Sequence, residues 1–393
     1  MPHLYLSKLT LENDAHRQRQ RIPTSLLAAF AAATLLSACG GGGSSSAPAA
    51  PTTPPVAAPG PVEPPVAAPT PAPSPAPVNP SLVTSVTAPT YAGGTVEKGA
   101  WDVLMRERAA CGFGLVQQDT RFDTASQAHA FHLAKNSAER NVFYHGHFED
   151  PSLPYFIGNS PTDRLVANGF PSIGTSSAED LDAQRASYVA GSQMPIITLS
   201  EAQGSASTRR LLTTVYHLLG VLHEGRFGGV GSDYQMSSVV QGNTTFTVEN
   251  YRFGVMTGAF SSPQLLGTGN LATYPCGGAT AASANWQPVL ESPAPFPEIT
   301  STSTHYGTPV YFKADPGSSL VVSTATVTRV STGASVALRQ MTKANDPNAI
   351  IKDNEVFIVP TSPLVVGAAY DVSASGTLNG VAFTRTFTFT PAP

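Results

Sequence analysis

Apolar residues recur at helical spacing along the first part of the folded chain. In residues 97–111, Trp101, Leu104 and Met105 fall on one side of a helix and charged residues on the other. This spacing, with its capping residues, predicts four helices: 97–111, 124–140 preceded by Asp123, 161–168 capped by Ser160, and 207–224 ended by Gly225. Short β-prone segments follow at 228–231, 244–248 and 251–256. Helices that precede strands indicate an α+β domain, which we place at residues 93–290.

The pattern changes after the Pro-rich segment 293–297, which we interpret as a hinge. Short β-prone runs follow it: 309–314, 320–330, 335–341, 355–360, 370–375 and 381–390. Asn379-Gly380 predicts a two-residue hairpin turn before the last run. Short strands at this spacing predict a second domain, an all-β sandwich over residues 291–393.

A basic patch and a short apolar run lie near the start of the chain. Three arginines between residues 17 and 21 precede the apolar residues 25–36, and this order is typical of an export signal. The apolar run is too short for a membrane span. The run ends at Leu36-Ser37-Ala38-Cys39, which resembles the lipobox of bacterial lipoproteins, where the cysteine thiol receives a diacylglycerol. We therefore expect a lipoprotein signal peptide at residues 1–38 and lipidation of Cys39. The alternatives are an ordinary secretory peptide cleaved after Ala38 and a start codon assigned too early.

Residues 39–92 have the composition of a tether. A glycine–serine tract at 40–46 is followed by proline recurring among small residues up to residue 80, and such a segment has too little apolar bulk to collapse. Charged residues make up 12% of the chain and the net charge is −4. Because no basic cluster stands out, nucleic acid is excluded as the expected partner.

The three cysteines favour an exported protein. If Cys39 is acylated, Cys111 and Cys276 remain, and an oxidising cell envelope favours a disulfide between them. The alternative is a pair of buried free thiols.

Common catalytic motifs are missing from the sequence. His223 and Glu224 begin an H-E-x-x-H pattern that lacks its second histidine, and there is no G-x-S-x-G elbow and no phosphate-binding loop. His145 and His147 are two residues apart and could share one face of an extended segment, an arrangement that suits a metal. We interpret His129 and His132 as packing residues of a helix and His223 as exposed to solvent.

Short motifs follow one another in order between residues 104 and 231: LMRERAACGFGL at 104–115, SQAHA at 126–130, HFEDP at 147–151, PTDRLVANGF at 161–170, EDL at 179–181, YH at 216–217 and GVG at 229–231. As a series they resemble the CAP superfamily of cysteine-rich secretory proteins, antigen 5 and pathogenesis-related 1 proteins, whose domain is also called SCP. The HFEDP, EDL and YH motifs are similar to the family's G-H-x-E-D-P, E-N-I and Y-H-R.

The resemblance implies a three-layer α-β-α sandwich (CAP/SCP-like) with a central cleft. Carried over to this sequence, His147 and His217 are the two histidines of the cleft and Glu179 is its first acidic residue. In some members of the family such a set binds a divalent metal, so the resemblance also implies a possible metal cofactor such as zinc. The second acidic residue has no clear counterpart, and Glu201 is the nearest candidate by order.

The chain departs from the family pattern at two positions. Asp180 stands in place of the asparagine of E-N-I, and Leu218 in place of the arginine of Y-H-R. In the second domain, the spacing of Leu364, Gly367 and Tyr370 resembles the corner of bacterial Ig-like domains, where a tyrosine hydroxyl holds a loop. That resemblance implies an Ig-like β-sandwich at residues 291–393.

Three functional hypotheses remain open from the sequence. The first is a cell-envelope lipoprotein, anchored in a bacterial membrane and facing the periplasm or the exterior, whose cleft binds a glycan, a lipid or a divalent metal. The second is a hydrolase of envelope peptide or polysaccharide, in which His147, His217 and Glu179 activate water with or without a metal. The third is an adhesin that binds a protein or glycan through the Ig-like domain, and a purely structural polar network is the alternative to all ligand binding.

Overall fold

The computed structural model describes residues 82–171, 176–259 and 263–392. The expected signal peptide, Cys39 and the greater part of the tether lie outside these residues. No helix within the described ranges is long and apolar enough to cross a membrane. The chain has a mixed α+β fold with several sheets, as the sequence predicts.

We treat the described residues up to 259 as the N-terminal region and residues 263–392 as the C-terminal region. The elements of the N-terminal region are, in chain order, α1 Val96–Cys111, β1 Gln117–Gln118, α2 Thr120–Arg140, α3 Pro161–Ala167, β2 Ser176–Val189, α4 Glu201–Leu211, α5 Val215–Val221, β3 Phe227–Gln241 and β4 Thr244–Ala259. Those of the C-terminal region are β5 Ala272–Tyr274, β6 Val310–Lys313, β7 Leu320–Arg329, β8 Ala334–Ser335, β9 Leu338–Thr342, β10 Glu355–Pro360, β11 Tyr370–Leu378 and β12 Val381–Phe389.

The N-terminal region is built on one four-stranded sheet in the order β1-β3-β4-β2. Strands β3 and β4 form a long antiparallel hairpin that closes between Gln241 and Thr244, where Gly242 has a positive φ of 60°. Strand β2 pairs with β4 along its whole length and lies at the edge of the sheet. The sequence pattern does not predict β2, because its many charged and polar residues give no apolar alternation, although residues 179–182 are buried.

Helices pack against this sheet through residues that alternate along its strands. Gly231 faces α2 so closely that a side chain there would overlap the backbone of Gln127. The adjacent Val230 packs into the core shared with α1 and α5, because successive strand residues point to opposite faces. Helices α1 and α4 also cross closely, since a side chain at Gly204 would meet the backbone of Val96.

Helix boundaries follow the sequence prediction with two corrections. Helix α1 ends at Gly112, and α3 starts at Ser160 with a full capping box. Helix α2 begins four residues before the predicted start, because Asp119 rather than Asp123 caps it. The predicted helix over 207–224 is wrong as a single element: α4 and α5 are separated at Thr214, whose backbone is extended.

The C-terminal region has two four-stranded sheets, β5-β6-β10-β9 and β12-β11-β7-β8, with every pairing antiparallel. Apolar residues of β6, β7, β10 and β11 form one core between them. Five predicted strands are confirmed, whereas the predicted strand over 335–341 is divided into parts of β8 and β9. Asn379 and Gly380 form the predicted hairpin turn, with φ of 52° and 80°. The Tyr370 hydroxyl accepts a 2.9 Å hydrogen bond from the Val365 N–H, as its position in the predicted corner suggests.

The two regions share a hydrophobic core. Phe113 of the N-terminal region stacks on Tyr311 with ring centroids 6.1 Å apart, and Tyr311 stacks on Phe357 at 4.6 Å. Strand β5, which the sequence pattern places in the first domain, pairs with β6 of the second. Phe296, in the Pro-rich segment interpreted as a hinge, is fully buried in the shared core. That segment therefore packs as part of the core.

The disulfide between Cys111 and Cys276 is present, which excludes the alternative of two free thiols. The two Cα atoms are 5.5 Å apart, and the bond joins the last residue of α1 to the segment that follows β5. It therefore covalently links the two regions beside their shared core.

Candidate functional site

Glu179 lies at the centre of a buried polar cluster on the edge strand β2. Its side chain points to the side of the sheet on which α2 and α3 pack, where the guanidinium of Arg164 donates a 2.6 Å hydrogen bond to it. The Nδ1 atom of His147 lies 3.0 Å from its other carboxylate oxygen, and the Nε2 atom of His129 lies 3.8 Å away. Burial alone raises the pKa of Glu179, but His129, the hydrogen bond with His147 and the charge of Arg164 together lower it to about 2. Glu179 is therefore ionised at neutral pH.

His147 is the exposed member of this cluster. Its side chain is 34% exposed to solvent, whereas that of Glu179 is 1% exposed. Two nitrogens of Arg164 donate to the His147 carbonyl oxygen, each at 3.1 Å, and fix the backbone beneath the ring. With Nδ1 facing Glu179, the Nε2 atom is the ring nitrogen left to interact with a bound molecule.

A second buried pair, His129 and Glu149, lies beside this cluster. His129 approaches Glu149 through Nδ1 at 2.8 Å and the Gly146 carbonyl oxygen through Nε2 at 2.9 Å. Both neighbours of the imidazole are oxygen atoms that can accept hydrogen bonds. Glu149 also accepts a hydrogen bond from the Ile157 N–H at 2.8 Å. His129 thus has an electrostatic role in addition to the packing role that the sequence suggests.

His217 has a separate set of partners. Its Nδ1 atom lies 2.6 Å from the Thr214 hydroxyl and 3.5 Å from a carboxylate oxygen of Glu291. The same carboxylate accepts hydrogen bonds from the N–H groups of Val215, Tyr216 and His217 at 3.0, 2.5 and 3.2 Å. Glu291 therefore caps α5 and also orients the histidine in its first turn.

Burial is the main reason that the ring of His217 is neutral. Burial lowers the pKa of His217 to about 4, and the nearby charge of His147 acts in the same direction. Burial raises the pKa of Glu291 to about 7, although the three N–H donors of α5 oppose this increase. His145 lies in the same environment: burial, Arg252 and the charges of His147 and His217 lower its pKa to about 3.

Asp180, the neighbour of Glu179, points to the opposite side of the sheet. Its carboxylate packs against Gly220 of α5, where any side chain would overlap it. One carboxylate oxygen is buried and has no hydrogen-bond partner among the described residues. Burial and the charges of Glu179 and Glu291 raise the pKa of Asp180 well above its usual value, which favours the protonated form of this residue. A neutral carboxyl group is close in shape to the asparagine that the family motif has at this position.

The residues predicted for the site are only partly in contact. His147 and Glu179 form a pair, whereas His217 has Thr214 and Glu291 as its partners. The charge of His147 contributes to the lowered pKa of His217, although burial is the larger cause. Glu201, the nearest candidate for the second acidic residue, lies at the start of α4 and accepts a hydrogen bond from Gly94.

Two residues of the site, Glu291 and Arg164, are missing from the sequence prediction, and the prediction for His223, which lies elsewhere, is wrong. Glu291 occurs among prolines and carries no motif, so no local signal identifies it. Arg164 is part of a quoted motif, and its full burial is what indicates its role. His223, expected in solvent, is partly buried, with a ring nitrogen that lacks a partner among the described residues.

The cluster fits a direct three-residue metal site poorly. One oxygen of Glu179 is held by Arg164 and the other faces His147, so this carboxylate is already neutralised. Within the described ranges, no group of three or more histidine, cysteine, aspartate or glutamate side chains is arranged to hold a metal ion. The two histidines do have the outer contacts typical of metal ligands, because each has its Nδ1 atom beside a carboxylate.

Comparison with models of known protein families and with curated proteins gives no match for this chain.

Proposed function

We propose that this protein is a cell-envelope lipoprotein of CAP type whose cleft binds a ligand through His147 and His217. The observation that carries the proposal is the 3.0 Å contact between His147 and the buried Glu179, because it fixes one ring nitrogen and leaves the other on a partly exposed edge. Helices packed against both faces of one sheet support the three-layer CAP arrangement. The Tyr370 corner and the two facing sheets support an Ig-like C-terminal module.

The position in the envelope rests on the chain outside the described residues. The lipobox ending at Cys39 and the Pro-rich tether up to residue 80 support a lipid anchor with the folded part held away from the membrane. The Cys111–Cys276 disulfide supports an oxidising compartment.

A divalent metal such as zinc is the simplest ligand for the two histidines. Imidazole nitrogen is a preferred ligand atom of zinc, and a carboxylate beside Nδ1 orients such a ring. In this arrangement His147 and His217 hold the ion, whereas Glu179 and Glu291 position the rings. The remaining coordination positions are open to a glycan or lipid oxygen.

The alternative is a hydrolase that uses His147 as a general base. An ionised, buried carboxylate at Nδ1 with the opposite nitrogen open is the arrangement by which a histidine removes a proton from water. His147→Gln tests this alternative: hydrolysis of labelled peptidoglycan or casein by the wild type should fall at least about 100-fold in the variant.

Zinc binding to the full chain tests the main proposal. Isothermal titration should give one site per molecule, and His147→Ala or His217→Ala should each weaken it at least about ten-fold. His305→Ala is the matched control, because His305 is a partly exposed histidine of the C-terminal region whose Nδ1 atom contacts Asn285. Equal zinc binding by all four proteins, or none by the wild type, contradicts a metal-binding cleft.

A further inference from the structure

Residues 141–160 carry an unusual concentration of exposed aromatic side chains. We call this segment the aromatic loop; it has no helix or strand and contains His147. Phe143, Phe148, Tyr155 and Phe156 are 53%, 66%, 40% and 40% exposed. Exposed apolar groups that cluster in this way mark ligand-binding or interaction sites.

Buried groups of the N-terminal region hold the backbone of this loop in place. The carbonyl oxygens of four loop residues accept hydrogen bonds from fully buried side chains. These contacts are Arg252 to Tyr144 at 3.0 Å, His129 to Gly146 at 2.9 Å, Arg164 to His147 at 3.1 Å and Asn136 to Pro154 at 3.1 Å. The loop is therefore fixed by the same cluster that surrounds Glu179.

Two of the four exposed rings on this loop, those of Phe143 and Tyr155, are held in place by neighbouring side chains. The guanidinium of Arg252 lies 4.6 Å from the centre of the Phe143 ring, and that ring lies 5.8 Å from His145. Tyr155 packs edge-on against Phe131 at 5.0 Å, and its hydroxyl donates to Glu139 at 3.0 Å. Because the backbone and these two rings are already ordered, binding requires little further loss of conformational entropy there.

The charge of the aromatic loop argues against an anionic membrane surface. Residues 141–160 contain no lysine or arginine, and they include Glu149 and Asp150. Asp150 is exposed, and hydrogen bonds from the Ser152 N–H and hydroxyl lower its pKa, so it is ionised at neutral pH. Lipid-binding surfaces of peripheral proteins carry basic residues beside their apolar ones. A glycan chain, whose sugar rings have apolar C–H faces and hydroxyl groups, suits this loop better.

We propose that the aromatic loop binds a polysaccharide of the cell envelope, with the C–H faces of its sugar rings stacked on Phe148 and Phe156. Its hydroxyl groups then lie within reach of the exposed edge of His147. This inference rests on the proposed cleft function, to which it adds the class of ligand. Sites for small ligands combine aromatic walls with a few fixed polar groups in the same way.

Co-sedimentation of the detergent-solubilised full chain with purified peptidoglycan sacculi tests the proposal. Phe148→Ala and Phe156→Ala should each weaken binding by roughly two- to twelve-fold, the range expected for the loss of one aromatic contact. Val240→Ala, which truncates a side chain of the same region that is 69% exposed, should have no effect. All four proteins should unfold at the same temperature.

The outcomes separate this inference from the proposed function. If the phenylalanine variants lose sacculus binding, and soluble glycan fragments release the wild type from sacculi, the proposed role of the aromatic loop is supported. This holds even if His147→Ala leaves both zinc binding and sacculus binding unchanged. That second result would contradict the cleft function alone. Unchanged binding by the double variant Phe148→Ala/Phe156→Ala overturns the inference. Release by a soluble short-chain phosphatidylglycerol, but not by glycan fragments, also overturns it and identifies a lipid surface.

Discussion

The two regions of this protein have different kinds of interior. The largest fully buried side chains of the N-terminal region include Arg108, Arg164 and Arg252, whereas those of the C-terminal region are aromatic, among them Tyr311 and Phe357. A buried arginine loses most of its hydration, so its burial requires several well-aligned hydrogen bonds in return. The ring of Phe357 has no such requirement, and Tyr311 needs a partner only for its hydroxyl, which donates a 2.8 Å hydrogen bond to Glu355.

The position of the buried charge indicates where the chain has a task beyond stability. Arg164 and Arg252 both hold the backbone of the aromatic loop, and Arg164 also neutralises Glu179. Replacing such groups with apolar side chains is often neutral or stabilising in other proteins. We infer that the N-terminal region keeps them because they fix the geometry of the site.

Loss of the disulfide should have the largest effect on stability. Replacing both cysteines by serine opens a loop with a sequence separation of 165 residues, which costs about 5 kcal/mol in the chain-entropy model. The bond joins two regions that share a core, so chemical denaturation of the serine variant should still show one transition. Tryptophan fluorescence and far-ultraviolet circular dichroism should report the same transition. Two separate transitions in the variant contradict a shared core.

Arg164→Met should destabilise the chain by about 3–5 kcal/mol, because Glu179 is left as a buried charge without its cation. The matched control is Arg339→Met in the C-terminal region, where Arg339 pairs with Glu298 at the surface. That substitution should cost less than about 1 kcal/mol. Urea denaturation measures the loss of unfolding free energy in both variants. Equal losses would contradict the difference between the two interiors.

Asp180→Asn should change how stability depends on pH. The folded state raises the pKa of Asp180, so above about pH 4 the folded chain keeps a proton that the unfolded chain releases. This carboxyl group therefore lowers the free energy of unfolding by about 1.4 kcal/mol per pH unit until the pH reaches its folded pKa. The asparagine variant should lack that slope and should be the more stable protein at neutral pH.

Stability curves of wild type and Asp180→Asn that run parallel from about pH 4 to about pH 7 contradict this assignment. Asp371→Asn is a suitable control, because Asp371 is an exposed aspartate of the C-terminal region. It should not change the slope measurably.

Tyr370→Phe should have the smallest effect, about 1 kcal/mol. The substitution removes the hydroxyl that accepts from the Val365 N–H and retains the buried ring. Thermal unfolding measures the change. A loss as large as that of Arg164→Met would mean that polar contacts are equally important in both interiors.

Local sequence patterns account for most elements of the C-terminal region and for the start of α3. A β-prone run identifies β7, alternating residues identify β12, and Asn379-Gly380 identifies the turn before β12. The capping box at Ser160 identifies the start of α3. These signals depend on residues that are close together in the chain, so they can be recognised without knowledge of the fold.

The site is harder to predict from the sequence, because its contacts connect distant parts of the chain. Motif resemblance identifies His147, Glu179 and His217, but the residue that orients His217 comes from position 291, 74 residues further on. Strand β2, which carries Glu179, has no apolar pattern of its own and is ordered by its pairing with β4. Neither feature leaves a local signal.

The sequence by itself therefore determines the capping box of α3, the hairpin turn, most strands of the C-terminal region and the cysteine pair. The tertiary structure decides that α4 and α5 are separate helices, that the pKa of Asp180 is raised while that of the adjacent Glu179 is lowered, and that the segment after residue 290 contributes to the site. The physical reason is range: capping and turn formation depend on neighbouring residues, whereas charge and burial depend on every group that the fold brings within a few ångströms.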